Sequence, residues 1–330
     1  MVGLFKQKTP INIFFVFILG ILIKIPIFIS VKLPVVDTQS SEFFKKIEAL
    51  LNNLIGGNAI VYSIITFLLL FSQSLQLNIF LDRGRLMQKP SYLPAAAYLI
   101  FSSFIPEWNY FSAPLLVNSI LLFIFIQLSR VIDLKISKTS FFNIGFATGI
   151  CVFLYFPTCV LFIWLILSLF LIRSIRANLL LLSVVGLLTP FYFYGTYLFL
   201  NDQLSLQLLL PSLQLSKLYF SFTVWSKVGS LIIVGSSLIG AYLVNTGFRQ
   251  MLVPIRVKWN SLILFLLFAI VMLFLSNTIN YRPQVWMIFL IPASTFISVA
   301  FLSNFGLLSK CIFWISILFV VCFQLFGSGW

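Results

Sequence analysis

Seven carboxylates make up the acidic inventory of the chain: Asp37, Glu42, Glu48, Asp82, Glu107, Asp133 and Asp202. There is no histidine. Its absence removes imidazole-ligated zinc, haem and non-haem iron sites, Ser-His-Asp triads and imidazole proton relays together. Acid–base chemistry therefore falls to one of those carboxylates, or to a Tyr, Lys or Cys. The cysteines, Cys151, Cys159, Cys311 and Cys322, lie in apolar runs without a C-x-x-C spacing. They read as small buried hydrophobes.

Asp37 is the first candidate for work. It lies in Lys32-Leu33-Pro34-Val35-Val36-Asp37-Thr38, shortly after Lys24-Ile25-Pro26. The prolines fix an extended path, and Thr38 or Ser40 is placed to cap a helix that follows. A carboxylate held in this way suits a general base, or equally a loop anion favoured by a helix dipole. Glu107, in Ile105-Pro106-Glu107-Trp108-Asn109-Tyr110, is the second acid, with an ordinary turn acid beside a Trp/Tyr belt as its alternative. Asp37 and Glu107 on one face would form a catalytic pair or ligate a divalent cation. Arg282, in Asn280-Tyr281-Arg282-Pro283-Gln284, offers the bidentate fork that suits a lipid phosphate, or a headgroup anchor. Lys24 is a second candidate phosphate contact and is expected to snorkel toward the interface.

The elements that must position these residues follow from composition. Of 330 residues, 61% are hydrophobic and 8% charged, and the mean hydropathy is +1.11. A soluble domain carries about 25% charged residues, so this chain cannot cover a water-facing surface. The expected fold is an all-α, polytopic integral membrane bundle forming a single transmembrane domain over 1–330. Apolar runs place about eleven transmembrane helices (range 9–12) at 10–31, 58–81, 91–106, 112–130, 141–156, 158–174, 178–200, 228–247, 259–279, 285–305 and 308–327. The 141–174 run is divided at Pro157 because one helix of that length would reach about 51 Å, against a hydrocarbon core of about 30 Å.

The formal net charge is +14, but Lys and Arg are scattered singly between apolar runs. That pattern predicts affinity for anionic lipid rather than nucleic acid. With the N-terminus in the cytoplasm, fourteen of the 21 basic residues fall inside and seven outside. The positive-inside rule then favours this orientation, with a periplasmic C-terminus and localisation in a bacterial inner membrane. Five of the seven acids, Asp37, Glu42, Glu48, Glu107 and Asp202, fall outside in this topology. Asp82 beside Arg83, and Asp133 near Arg130 and Lys135, read as ion-paired loop residues. The first apolar run lacks a small-residue cleavage site and is not expected to be a signal peptide.

Two outer loops are long. In 32–57, Phe43, Ile47, Leu50, Leu51 and Leu54 recur on one helical face, with charges opposite. This predicts an amphipathic helix lying on the bilayer surface. The second loop, 201–227, alternates polar residues with leucine around Pro211 and reads as a surface or re-entrant segment. The span interiors hold almost no ionisable residues, which argues against ion-coupled transport. Asn118, Gln127, Asn143 and Asn245 remain as polar contacts between helices.

The stretch Asn143-Ile144-Gly145-Phe146, with Phe153-Leu154-Tyr155-Phe156-Pro157, Arg173-Ser174-Ile175-Arg176, Gly186-Leu187-Leu188-Thr189-Pro190-Phe191 and Tyr197-Leu198-Phe199-Leu200-Asn201-Asp202, resembles a family of Bacteroidota multi-span membrane proteins of uncharacterised activity. The resemblance covers about residues 5–210 and implies topology alone. A wider resemblance is to the GT-C glycosyltransferases. Their first span typically ends in a basic-x-Pro element, followed by an outer-loop acid and an amphipathic helix. Lys24-x-Pro26, Asp37 and the 41–54 segment are similar in order and spacing. The chain has Asp37-Thr38 where many members carry Asp-Glu or Asp-x-Asp.

This resemblance implies a glycosyltransferase that takes its sugar from a polyprenyl phosphate at the outer membrane face. Asp37 would be the base, Glu107 a second acid, and Arg282 a contact to the lipid phosphate. The alternative is a non-catalytic integral subunit of an envelope complex for secretion, motility or glycan export, with a membrane protein partner. A lipid or small-molecule transporter is the third reading. No haem or zinc is expected.

Overall fold

The structure is a computed structural model that describes residues 5, 10–31, 33–34, 41–133, 137–172, 177–203, 205, 223–275, 283–302 and 306–327. Asp37 and Arg282 lie outside the described residues, as does most of the 201–227 loop. The described chain forms helices α1 (Pro10–Ile29), α2 (Glu42–Ile55), α3 (Ala59–Arg83), α4 (Leu93–Phe101), α5 (Ala113–Ile132), α6 (Lys138–Leu154), α7 (Val160–Phe170), α8 (Ala177–Leu200), α9 (Val224–Gly247), α10 (Val253–Leu275), α11 (Leu290–Leu302) and α12 (Gly306–Phe326). Short 3₁₀ turns at Pro106–Asn109, Phe156–Cys159, Phe248–Gln250 and Pro283–Phe289 join them.

Eight of these segments are long and apolar enough to cross a membrane, so the chain is a multi-pass helical membrane protein. The runs predicted at 91–106, 141–156 and 158–174 form shorter helices. The break expected at Pro157 is present, with Tyr155 extended at φ −143° and ψ 103° ahead of the 3₁₀ turn.

Helix α4 departs most from a simple span. Its nine residues rise only about 14 Å, and every one of them is buried. Ala95, Ala96 and Ala97 let α3 and α11 pack closely against it. The irregular backbone that follows, through Ser102, Ser103, Phe104 and Ile105, is buried in protein as well. Non-helical backbone is tolerated at membrane depth when protein rather than lipid surrounds it.

Helix α1 shows the opposite arrangement. Val16, Ile23, Lys24 and Ile27 face the bundle, while Ile11, Phe14, Leu22 and Ile25 are exposed on the other side. In a membrane the exposed stripe faces acyl chains.

The tightest crossing joins α6 and α8. Gly145 lies directly on the backbone of Ser183, and Gly186 on that of Phe142. A methyl group at either glycine would overlap a carbonyl. Small residues at such crossings bring two helix axes together and gain dispersion contacts, because between lipid-solvated helices there is little hydrophobic driving force.

A chain of polar side chains runs through the centre. Gln73 of α3 donates to Leu115 O and Ser119 Oγ, both at 2.7 Å. It accepts from Tyr98 of α4 at 2.6 Å. Nearby, the Asn118 amide of α5 donates to Met287 O at 2.9 Å. Asn118 thus acts as the expected interhelical contact, whereas Gln73, which joins α3 to α4 and α5, was not singled out by the sequence. A second tie joins α7 to α10 through Trp164 Nε1 to Ser261 O at 2.9 Å, and Ser261 Oγ to Ser168 Oγ at 3.0 Å.

Candidate functional site

The predicted amphipathic helix is α2. Ser41 caps it by accepting from Phe44 N at 3.2 Å, one residue beyond the expected Ser40. Gly56 closes it in the left-handed region at φ 66°, where glycine bears no Cβ penalty. Part of the predicted stripe, Phe43, Ile47 and Leu51, seats on the bundle, and the rest stays exposed. Phe44 is fully buried, and Phe43, Ile47, Leu51 and Ile55 pack against the core. Leu50 and Leu54 of the predicted stripe are 63% and 82% exposed. The buried face is rotated because the support lies at the helix start, where Ser41 N donates to Leu154 O at 3.4 Å. Phe44 stacks on Phe111 and Phe43 packs on Phe153. Lys46 sits over the rings of Tyr194 and Tyr197 at 5.5 and 5.3 Å, tying α2 to α8.

Under α2 lies a polar cluster built by three separate segments. Lys24 projects from the bundle-facing side of α1 and is 0% exposed. Its ammonium donates to Asn109 Oδ1, and Asn109 Nδ2 donates to Ile105 O at 3.4 Å. This corrects the expectation that Lys24 snorkels to the interface. The ammonium turns inward because Asn109, at the end of the 3₁₀ turn, presents an acceptor within the bundle, and a buried charge needs one.

Glu107 occupies the same turn and is partly buried, beside the buried Trp108. The structure therefore brings Lys24 and the Glu107 turn together. The Pro283–Phe289 turn, which follows directly after Arg282 in the chain, packs against the Pro106–Asn109 turn. Within it Gln284 is buried, and neither its amide oxygen nor its nitrogen has a protein hydrogen-bond partner.

A narrow niche adjoins the cluster, lined by Ser30, Tyr62, Ser63, Thr66, Asn109 and Tyr110 among others. Its volume of about 10 Å³ is on the order of one water molecule. The sequence reading did not single out Glu48 for work. This carboxylate lies near enough to the Tyr62 hydroxyl to act on it electrostatically, and burial raises its pKa above the ordinary value. Its position on the charged face of α2 carried no signal separating it from Glu42, which makes an exposed ion pair with Lys45 at 2.7 Å.

Among the described residues no group of three His, Cys, Asp or Glu side chains gathers as a metal site. The chemistry that the Asn109 end offers is therefore hydrogen bonding from Lys24, Asn109, Tyr62 and Gln284, with Glu107 and Glu48 as carboxylates nearby.

At the opposite end, Asp133 pairs with Lys258 of α10 at 2.7 Å; of its expected neighbours, Arg130 makes no ion pair with it, and Lys135 lies outside the described residues. Arg130 Nη1 instead lies 3.5 Å from Gln127 Oε1. Comparison of the chain with protein-family models, with curated proteins and with solved structures finds no match.

Proposed function

We propose that the chain is a GT-C-like glycosyltransferase that takes a sugar from a polyprenyl phosphate at the outer face of a bacterial inner membrane. The observation that supports this reading is the Lys24–Asn109 hydrogen bond. It joins the basic-x-Pro end of the first span to the turn that carries Glu107. The capped amphipathic helix α2 covers the same end, in the order span, loop, amphipathic helix, span. In this reading Asp37 is the general base that activates the acceptor hydroxyl. Glu107 is a second acid, with Asp37 the remaining donor for any divalent cation, and Arg282 contacts the lipid phosphate. A single base-assisted displacement inverts the anomeric carbon. Lys24 acts through the turn it holds.

The test is sugar transfer from a radiolabelled polyprenyl-phosphate sugar in membranes carrying the full chain. Asp37→Asn keeps size and removes basicity, so a drop of about 10²-fold or more is expected for a general base. Full activity in that variant sinks the assignment of Asp37.

A second reading is a non-catalytic subunit of an envelope assembly. One observation favours it. The end of α8 exposes Tyr192, Phe193, Tyr197 and Phe199, an aromatic surface suited to a membrane protein partner or to the interface belt. Stable co-purification with one membrane protein, together with tolerance of Asp37→Asn and Glu107→Gln, would select this reading.

A further inference from the structure

A concave polar surface lies at the end of the bundle away from Asn109. Arg83 and Arg85 reach it from the end of α3, Arg256 and Lys258 from the start of α10, and Asp133 from the end of α5. It encloses about 840 Å³, which is in the range of small-molecule sites. An adjoining cavity of about 590 Å³ shares Arg83 and Asp133 and adds Arg130 beside the apolar Phe80 and Ile126.

The charges here are not equivalent. Lys258, with a side chain 2% exposed, bonds Asp133 at 2.7 Å and Gly84 O at 3.1 Å. That ammonium is neutralised, and it acts as a strut that fixes the turn after α3. Within this turn Arg85 adopts the left-handed region at φ 53°, uncommon for a side chain with a Cβ. The one carboxylate lining the larger cavity is thus committed to Lys258. Arg83, Arg85 and Arg256 have no carboxylate partner among the described residues. Arg256 Nε is buried and has no protein hydrogen-bond partner, an arrangement that is costly unless a ligand oxygen meets it.

The first turn of α10 also lines this cavity, so the positive end of its dipole adds to the guanidinium field. Apolar side chains, among them Leu171, Ile172 and the exposed Leu252, line the cavity as well.

We infer that this cavity binds a phosphate ester, with Arg83, Arg85 and Arg256 as its ligands and the adjacent apolar walls receiving a hydrocarbon tail. Guanidinium forks match phosphate oxygens bidentately, and a cavity holding three of them with no free carboxylate among the described residues selects an anion. The inference is independent of the reaction proposed for the Asn109 end. The phosphate belongs either to a membrane lipid headgroup or to a soluble phosphate ester.

Native mass spectrometry of the full chain, delipidated in detergent, separates these sources. The probes are phosphatidylglycerol, phosphatidylcholine and glycerol 3-phosphate. Phosphatidylglycerol binding tighter than phosphatidylcholine binding, with no glycerol 3-phosphate adduct, identifies a lipid headgroup. A glycerol 3-phosphate adduct identifies a soluble ester. In either case Arg85→Gln and Arg256→Gln are expected to raise Kd about tenfold, the size of one charge-assisted hydrogen bond. Arg256→Lys should not restore binding, because charge without the fork leaves the phosphate unmatched. Arg249, exposed on the neighbouring 3₁₀ turn and not lining the cavity, provides the control. Equal weakening by Arg249→Gln would show diffuse attraction to a basic surface and overturn the site. Absence of a phosphate ligand sensitive to Arg85 or Arg256 would overturn it as well. The Arg85 side chain is exposed, so Arg85→Gln remains informative if Arg256→Gln fails to fold.

Discussion

Lys24 Nζ and Asn109 Oδ1, 85 residues apart in sequence, share a hydrogen bond inside the bundle. The bond fixes the 3₁₀ turn bearing Glu107 against the first helix. The two partners are not equal in consequence. Removing Asn109 leaves a buried ammonium without its acceptor, whereas removing Lys24 takes the charge away with it.

Asn109→Ala is therefore expected to cost about 1.5–3 kcal/mol, the range for a hydrogen bond to a charged group. Lys24→Met is expected to cost less, since an apolar side chain of similar volume can replace a buried charge. The double variant should lose less than the sum of the two. Thermal unfolding in detergent measures all three. A larger loss for Lys24→Met than for Asn109→Ala would contradict the asymmetry.

The α6–α8 crossing depends on the absence of a side chain at Gly145. Gly145→Ala places a methyl group on the Ser183 backbone and should destabilise by about 1–3 kcal/mol through overpacking. Gly235 on α9 has open space where a Cβ would sit. There Gly235→Ala should be neutral, or should stabilise by up to about 1 kcal/mol through helix propensity. Similar unfolding temperatures for the two variants would show that the crossing tolerates a wider spacing.

Helix α2 offers a contrast between two of its own residues. Phe44→Ala removes a buried ring stacked on Phe111 and should cost about 3–5 kcal/mol. Leu54→Ala removes an exposed side chain and should leave unfolding unchanged while weakening contact of α2 with lipid. Fluorescence quenching of a probe on α2 by brominated lipid reads the second effect. Equal destabilisation by both substitutions would mean that Leu54 is packed against protein rather than exposed.

Burial raises the Glu48 carboxyl above its ordinary value of 4.5. The folded protein therefore holds this proton more tightly than the unfolded chain does. The resulting stabilisation is fully present below pH 4.5 and is lost as pH rises through the raised value. Glu48→Gln should flatten this part of the stability profile, measured as unfolding temperature from pH 4 to pH 8. An unchanged slope would assign it to another group.

The sequence determined the class of the molecule. Charged residues are too sparse for a water-facing surface, and runs of apolar residues leave helices as the way to satisfy the backbone in lipid. It also placed the break at Pro157, where the missing N–H and ring clash interrupt a helix. The existence of α2 was visible in its 3.6-residue period, though not which flank of the apolar face would seat.

Only the tertiary structure decided the rest. Hydropathy does not distinguish an apolar helix wrapped in protein, such as α4, from one facing acyl chains, such as the outer stripe of α1, because both surroundings are apolar. Nor does local spacing reveal that Lys24 turns inward to Asn109, or that Lys258 reaches Asp133 across 125 positions and leaves three arginines without a carboxylate partner among the described residues around one cavity. These relationships arise where long-range packing offers a buried cation its acceptor. The cost of leaving a buried charge unpaired, which enforces them, exists only once the helices have packed.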